Sequence, residues 1–361
     1  MLSPKTKRML FRIIPFGIIW MVFGCIFLLV EQLTLDNSDS IPDTAIKMGP
    51  KVFIFAMLAV TGVGLLIGVI ELFFLNSVLA KKSFFQKMLV KLLIYASFLF
   101  LVMLITFPIA ASIELGTTVF DPQVWDKYFA YLSSRTNIST SVQMGVSLAV
   151  SLFYAEVSDN IGHGILINFF TGKYHNPVEE KRIFMFLDMK SSTTLAEQLG
   201  HVRYFELLKE YYFDLSDAIV DFEGEIYQYV GDEVVVSWKY EKGIKNNNCI
   251  SCFYAMKAAL NKRTEWYVKN FGSVPSFKAG FHMGLVTTGE IGVLKKEIIF
   301  TGDVLNATAR IQALCNHYKV DILLSDVLVK CFGVKSGYHV KSLGSSSLRG
   351  RIEHMELFTI T

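Results

Sequence analysis

Cysteine is scarce in this 361-residue chain: Cys25, Cys249, Cys252, Cys315 and Cys331 are its five thiols. The Cys249-x-x-Cys252 pair has no second pair and no histidine pair at zinc spacing, which favours plain, reduced thiols over a structural zinc site. Four of the thiols fall in the later half, a pattern that suits a reducing compartment. The chain also lacks a dense lysine and arginine stripe interleaved with aromatics, and its formal net charge is only +3. No nucleic-acid partner is therefore expected. The basic start MLSPKTKRMLFR precedes an apolar run too long for a signal-peptide core, and no small-residue cleavage site follows closely. A first membrane span is the better reading.

Hydrophobic residues make up 52% of the chain and the mean hydropathy is +0.41. The long apolar runs lie almost entirely in the first half, and the remainder has the composition of a water-facing domain. Four runs are long enough to cross a bilayer: Ile13–Leu33, Val52–Leu75, Leu89–Ile113 and Val142–Ile161. Each is expected to be helical, because a backbone facing lipid must satisfy its own hydrogen bonds. Lys5, Lys7, Arg8 and Arg12 precede the first span, Lys81, Lys82, Lys87 and Lys91 sit between the second and third, and Lys173, Lys181 and Arg182 follow the fourth. The other two loops are acidic or neutral. By the positive-inside rule both termini are cytoplasmic, in the plasma (inner) membrane of a multi-pass protein. The fourth span ends with Glu156, Asp159 and His163 on one helical face. That is either a helix leaving the membrane or a sensing site.

The expected division is a four-helix transmembrane domain over 1–165, a connector over 166–182, and a soluble domain over 183–361. Gly172 and Pro177 mark the boundary, and the connector is short enough to transmit a movement of the spans. In the soluble part, Ile183–Leu187 reads as a buried strand, and a helix is predicted over Val202–Phe222. Glu225–Val230 and Val234–Trp238 read as a hairpin with Gly231-Asp232 at its tip. A helix over Cys249–Asn270 follows, then a strand over Lys278–Gly284 and another near Gly289–Val293. Next come a helix after Gly302-Asp303, a short strand over Ile322–Leu324 and a terminal hairpin. The mixture predicts an α+β class with a largely antiparallel sheet.

Three strings carry chemistry. In Phe186-Leu187-Asp188-Met189-Lys190-Ser191-Ser192-Thr193 a carboxylate ends a buried strand and a helix N-terminus follows at once. The carboxylate suits a divalent cation, and the amides of residues 190–193 face phosphate oxygens. Val230-Gly231-Asp232-Glu233 presents a second carboxylate at a hairpin tip. If the two strands are neighbours, Asp188 and Asp232 converge on a two-metal site. Asn306 and Arg310 lie four apart on one helix face, where Asn306 can orient a ribose and Arg310 can stabilise charge on a phosphoryl group. Taken singly, an aspartate at a turn is a common turn former and the Asn/Arg pair an ordinary surface pair.

Together, F-x-D-M-x-S-S-T, G-D-E and N-x-x-x-R resemble, in order and spacing, the catalytic set of the class III adenylate and guanylate cyclases, across roughly Ile183–Thr361. The membrane half carries no motif match. The resemblance implies a ferredoxin-like β-α-β catalytic core and a head-to-tail homodimer with two shared active sites. It implies two Mg²⁺ or Mn²⁺ ions per site, held by Asp188, Asp232 and the Met189 carbonyl. Ser191, Ser192 and Thr193 would meet the triphosphate, with Arg349 and Arg351 as further candidates. Asn306 and Arg310 would come from the other subunit. The substrate's 3′-hydroxyl would attack its own α-phosphate and release pyrophosphate.

The base-selecting positions depart from the family. Gln228 stands where adenylate cyclases usually carry Lys and guanylate cyclases Glu, and Ile299 stands where Asp or Thr usually reads adenine. Gln can donate and accept, so both bases stay open. The absence of an acidic residue at 228 favours ATP over GTP. The reading is thus a membrane-bound adenylate cyclase regulated through its membrane domain. A guanylate cyclase and a non-catalytic nucleotide-binding receptor are the alternatives. A diguanylate cyclase would need Gly-Gly-(Asp/Glu)-Glu-Phe, which is absent here, and a transporter would need a repeat or a broken-helix pair.

Overall fold

The computed structural model describes residues 3–36, 46–75, 78–79, 84–332, 338–347 and 354–360. It divides into two compact units, Lys7–Leu166 and a second made mainly of Ile167–Thr361.

The first unit is helical. α1 is Pro4–Asp36, and α2 is Pro50–Val69, continued by a π-helical turn over Ile70–Leu75. α3 is Phe84–Leu115, α4 is Pro122–Leu132 and α5 is Arg135–Ile161. Among the described residues, four helices (α1, α2 with its π turn, α3 and α5) are long and apolar enough to cross a membrane. α4 was not anticipated. It starts because the Asp121 carboxylate accepts from the Gln123 amide and Pro122 sits at its first position. α5 begins well before Val142, since Ser134 caps it by accepting from the Asn137 amide.

The α1–α2 contact depends on missing side chains. A Cβ on Gly64 would sit 2.7 Å from the Phe16 carbonyl oxygen and from the Trp20 Cβ, so only glycine allows this approach. Several polar groups inside the bundle are paired, while the Tyr128 and Ser158 hydroxyls are buried without a hydrogen-bond partner among the described residues. Trp20 Nε1 donates to Ser151 Oγ at 3.0 Å, Tyr95 donates to Glu71 Oε2 at 2.7 Å, and Lys91 pairs with Glu71. Of the three groups expected on one face at the end of the fourth span, two lie on α5: Asp159, which pairs with Arg12, and Glu156, which accepts from Asn160. The His163 side chain lies outside the description.

In the second unit, α6 (His163–Thr171, begun in the first) leads to β1 (Val178–Met189), then α7 (Ser192–Asp221), β2 (Glu225–Val230) and β3 (Glu233–Lys239). After the short α8 (Tyr240–Ile244) come α9 (Asn248–Lys262) and α10 (Thr264–Phe271), then β4 (Phe277–Ile291) and β5 (Glu297–Thr301). α11 (Asp303–Ala313), α12 (Cys315–Tyr318), β6 (Ile322–Ser325), α13 (Asp326–Val329), β7 (Val340–Ser347) and β8 (His354–Ile360) complete it. The sheet order is β2-β3-β1-β4-β6-β8-β7, with β5 paired to β4. β1 is central and antiparallel to both neighbours, which accounts for its unbroken apolar run. Only β4 and β6 pair in parallel among the described strands.

Alternation along β1 builds two layers. Ile183, Met185 and Leu187 pack under α7 and α9 with Leu207, Tyr211, Phe253 and Met256. Phe184 and Phe186 turn to the opposite face, where Val235, Val286 and Val304 of α11 cover them. Each such buried side chain contributes roughly 1.5–3 kcal/mol.

Three sequence expectations need correction. The strands expected at 278–284 and near 289–293 are one continuous β4, because Gly284 does not interrupt it. A Cβ there would stand 2.5 Å from Val304 Cγ2, so the glycine serves packing with α11. The helix expected over Cys249–Asn270 is two, divided at Arg263, whose φ of −107° is not helical. β5 was not expected. It exists because it folds back on β4, from Thr287↔Thr301 to Ile291↔Glu297.

Candidate active site

Register places the two aspartates at one corner of the sheet. Leu187 pairs with Val234, so Asp188 lies one residue beyond that pair while Glu233 and Asp232 precede it on the facing strand. The β2–β3 tip turns through Gly231, whose φ of +63° lies in the left-handed region that glycine tolerates best. The tip is held from α7: the Tyr212 hydroxyl donates to the Gly231 carbonyl, and its ring lies 4.6 Å from that of Tyr229.

Asp188 accepts from Gln312 Nε2 of α11 at 3.2 Å and pairs with Lys278 Nζ of β4, also at 3.2 Å. Among the described residues Asp232 has no such cation, and its Oδ2 is buried with no hydrogen-bond partner. Burial raises the Asp232 carboxyl above the usual carboxylate range, a hydrogen bond from Ser192 works against that rise, and the facing Asp188 adds to it. Burial and the same two aspartates also raise Glu233. An unpaired buried carboxylate oxygen costs about 1–3 kcal/mol or more, and a divalent cation is the natural partner for two converging carboxylates. Among the described residues no cluster of three His, Cys, Asp or Glu side chains forms a complete cage. Any ion must draw its remaining ligands from backbone, water or substrate. Met189 buries its side chain, leaving only its backbone for that purpose.

The helix N-terminus after Asp188 is formed, with one difference from expectation. The Lys190 amide donates to the Ser276 carbonyl at 2.8 Å, because β1 still pairs with the β4 side there, so it is not free for a phosphate. Ser191 turns the chain at φ +54° and is exposed, as is Thr193, while Ser192 is half-buried and turns its hydroxyl to Asp232.

Asn306 and Arg310 do not join this corner. α11 buries Val304, Ala307, Thr308, Ile311 and Gln312 against the sheet, which leaves Asn306 exposed and Arg310 half-buried on its other side. Neither side chain meets a hydrogen-bond or ion-pair partner among the described residues. Gln228 is exposed on β2 beside a bulge at Tyr227, and Ile299 is half-buried on β5 opposite Gly289. Their neighbours tie these strands together: the Phe300 amide donates to the Tyr227 hydroxyl at 3.3 Å, and the two rings lie 4.8 Å apart. Arg349 and Arg351 lie outside the described residues.

Sequence reasoning missed Lys278, Gln312 and Tyr212. Lys278 and Gln312 sit in ordinary strand and helix patterns, and only the β1–β4 register and the packing of α11 bring them to Asp188. Tyr212 had a weak signal, an aromatic pair on a helix otherwise rich in charge.

The sequence profile of the family described as "Adenylate and Guanylate cyclase catalytic domain" matches residues 175–361. Adenylate cyclase 2 of Rhizobium meliloti (strain 1021) is 30% identical over 210 residues, which are 58% of this chain and 58% of that protein. The adenylate cyclase of Anabaena cylindrica is 23% identical over 183 residues, 49% of this chain and 36% of that one. The chain thus spans little more than half the length of the first of these relatives and about a third of the other. Among solved structures, a bacterial light-regulated adenylyl cyclase superposes with a TM-score of 0.52 at 18% identity, covering 62% of this chain and 64% of that one, a likeness of fold. With the aspartate corner on the sheet and a family match over more than half its length, the chain belongs to the adenylate and guanylate cyclase catalytic-domain family, with an N-terminal region whose four helices are apolar enough to span a membrane.

Proposed function

We propose that the chain is a membrane-bound adenylate cyclase that converts ATP to 3′,5′-cyclic AMP and pyrophosphate in a homodimer. The observation that carries this reading is the pair of facing carboxylates, Asp188 and Asp232, with Asp232 Oδ2 buried and unpartnered. Asp188, Asp232 and the Met189 carbonyl would hold two Mg²⁺ or Mn²⁺ ions, which when bound supply positive charge to the phosphates and to the attacking oxygen.

The chain's own residues do the rest. Ser192 orients Asp232, and Tyr212 fixes the turn that presents it. The amides at the start of α7, with the helix dipole, favour the triphosphate. Asn306 orients the ribose, and Arg310 offsets negative charge growing on the α-phosphate. Both are exposed enough to act on a second copy's aspartates, which supports a shared, head-to-tail site.

The preference for ATP rests on two supports. The curated relatives described above are adenylate cyclases. Gln228 also lacks the negative charge that would read a guanine edge, although it donates and accepts. The basic clusters flanking the four apolar helices support an inner-membrane protein with both termini in the cytoplasm, where nucleoside triphosphates are.

The test is the purified full chain with Mn²⁺ or Mg²⁺ and either ATP or GTP, the product being identified by mass. Cyclic AMP is expected, and its loss in Asp188→Ala. Cyclic GMP as the main product would reassign the substrate. No cyclic product from either nucleotide would leave a nucleotide-binding receptor.

A further inference from the structure

The membrane unit contains a cavity of about 150 Å³, lined among others by Trp20, Glu31, Phe55, Phe107, Tyr131 and Gln143. That volume is comparable to one that holds a single aromatic ring. Its walls come from the C-terminal parts of α1 and α3 and the N-terminal parts of α2 and α5, together with α4. All of these lie toward the end of the bundle that the loop charges place outside the cytoplasm.

The polarity of the lining is one-sided. Among the described residues that line it, Glu31 is the only Asp, Glu, Lys or Arg. Among the described residues no hydrogen bond or ion pair satisfies the Glu31 carboxylate. Tyr131 lines the same cavity, which places Glu31 by the aromatic wall. Most donors nearby are already committed: Trp20 Nε1 to Ser151, and the Thr140 hydroxyl to the Thr136 carbonyl. Phe107 is stacked on Tyr131 with centroids 4.2 Å apart, so the aromatic wall is preformed. An unpaired carboxylate in an apolar bundle is costly, and aromatic faces attract cations. What the cavity offers is therefore a carboxylate and π-faces, and what it lacks is a cation.

We propose that this cavity binds a small protonated amine bearing one apolar ring or short alkyl group, with its ammonium on Glu31 and its apolar part among Phe55, Phe107 and Trp20. The same ammonium chemistry is found on free amines and on phosphatidylethanolamine headgroups.

The experiment uses the full chain in bilayer discs of phosphatidylglycerol alone, with benzylammonium as probe and toluene as its uncharged counterpart, read by saturation-transfer NMR. Saturable benzylammonium binding is expected. Glu31→Gln should weaken it roughly tenfold while leaving toluene binding unchanged. Ala59→Phe or Ala56→Leu, which fill the cavity from α2, should abolish both. Equal benzylammonium affinity in Glu31→Gln overturns the proposal, as do undiminished binding in both filled variants and the absence of saturable binding in the unaltered chain. Displacement of the probe by added phosphatidylethanolamine assigns the site to a lipid headgroup, and failure to displace assigns it to a free amine. Binding is read without nucleotide, so this result stands apart from any result on catalysis.

Discussion

Asp232 faces Asp188 across the corner of the sheet with one carboxylate oxygen buried and unpartnered, while Lys278 and Gln312 both serve Asp188. The pair is therefore under-neutralised on the Asp232 side, and its repulsion is a cost to the fold that a bound cation would offset.

Asp232→Asn separates stability from function. The amide removes the buried charge and the repulsion with Asp188, so metal-free protein should melt at the same temperature or a few degrees higher, by about 1 kcal/mol. Cyclic nucleotide formation should fall by roughly a hundredfold or more. Calorimetry beside a turnover assay reads both. A large drop in melting temperature would show that Asp232 has a structural partner instead.

A shared site predicts complementation. Asp188→Ala and Arg310→Ala should each be inactive alone. Mixed in equal amounts and allowed to exchange, half of the dimers are hybrids with one intact site each, so activity should return to about one quarter of the unaltered enzyme. No recovery after demonstrated subunit exchange would place Arg310 in the same chain's site.

Gly280 sets the height of α11 above the sheet. A Cβ there would lie 2.3 Å from the Gln312 amide nitrogen and 2.6 Å from its Cα, both backbone atoms that cannot swing aside. Gly280→Ala should cost about 1–3 kcal/mol and also reduce turnover, because the helix carrying Gln312, Asn306 and Arg310 must lift. Denaturant melts and kinetics on the same sample test this. An unchanged melt would mean that the helix is not seated on β4.

Acid should loosen the start of the sheet. Glu180 accepts from Arg182 Nε at 2.8 Å and from the Tyr174 hydroxyl at 2.9 Å, while Arg182 also donates to Glu225 at 2.8 Å. Burial alone would raise Glu180, but these partners overcome it and hold its carboxyl at about 2, below the ordinary 4.5. A depressed folded value means that the contribution is present above about pH 4.5 and is lost as pH falls toward 2. Glu180→Gln should therefore be less stable at neutral pH and show a shallower acid slope between those values. Melts across that window decide it, and parallel slopes would refute the assignment.

Much of the strand and turn framework around the aspartate corner was legible in the sequence. The apolar run ending at Asp188 has the composition of a strand flanked on both sides, and Gly231-Asp232 is a turn wherever it lies, so the hairpin and the strand were readable from local chemistry. The four long apolar helices were readable because about 20 consecutive apolar residues favour a helix, which satisfies its own backbone hydrogen bonds. β5 and the division at Arg263 were not readable. A five-residue strand exists only through its partner, and the helix break has no glycine or proline to announce it.

The sequence by itself determined the residue types of the site, their order, the two-part organisation and the family. Tertiary structure alone decided which groups meet: that Lys278 and Gln312 both serve Asp188, that no described residue gives Asp232 a cation, and that Asn306 and Arg310 face away from them. Spacing along a chain specifies periodicity, whereas contact depends on strand register and helix seating. Those are settled by packing among residues far apart in sequence.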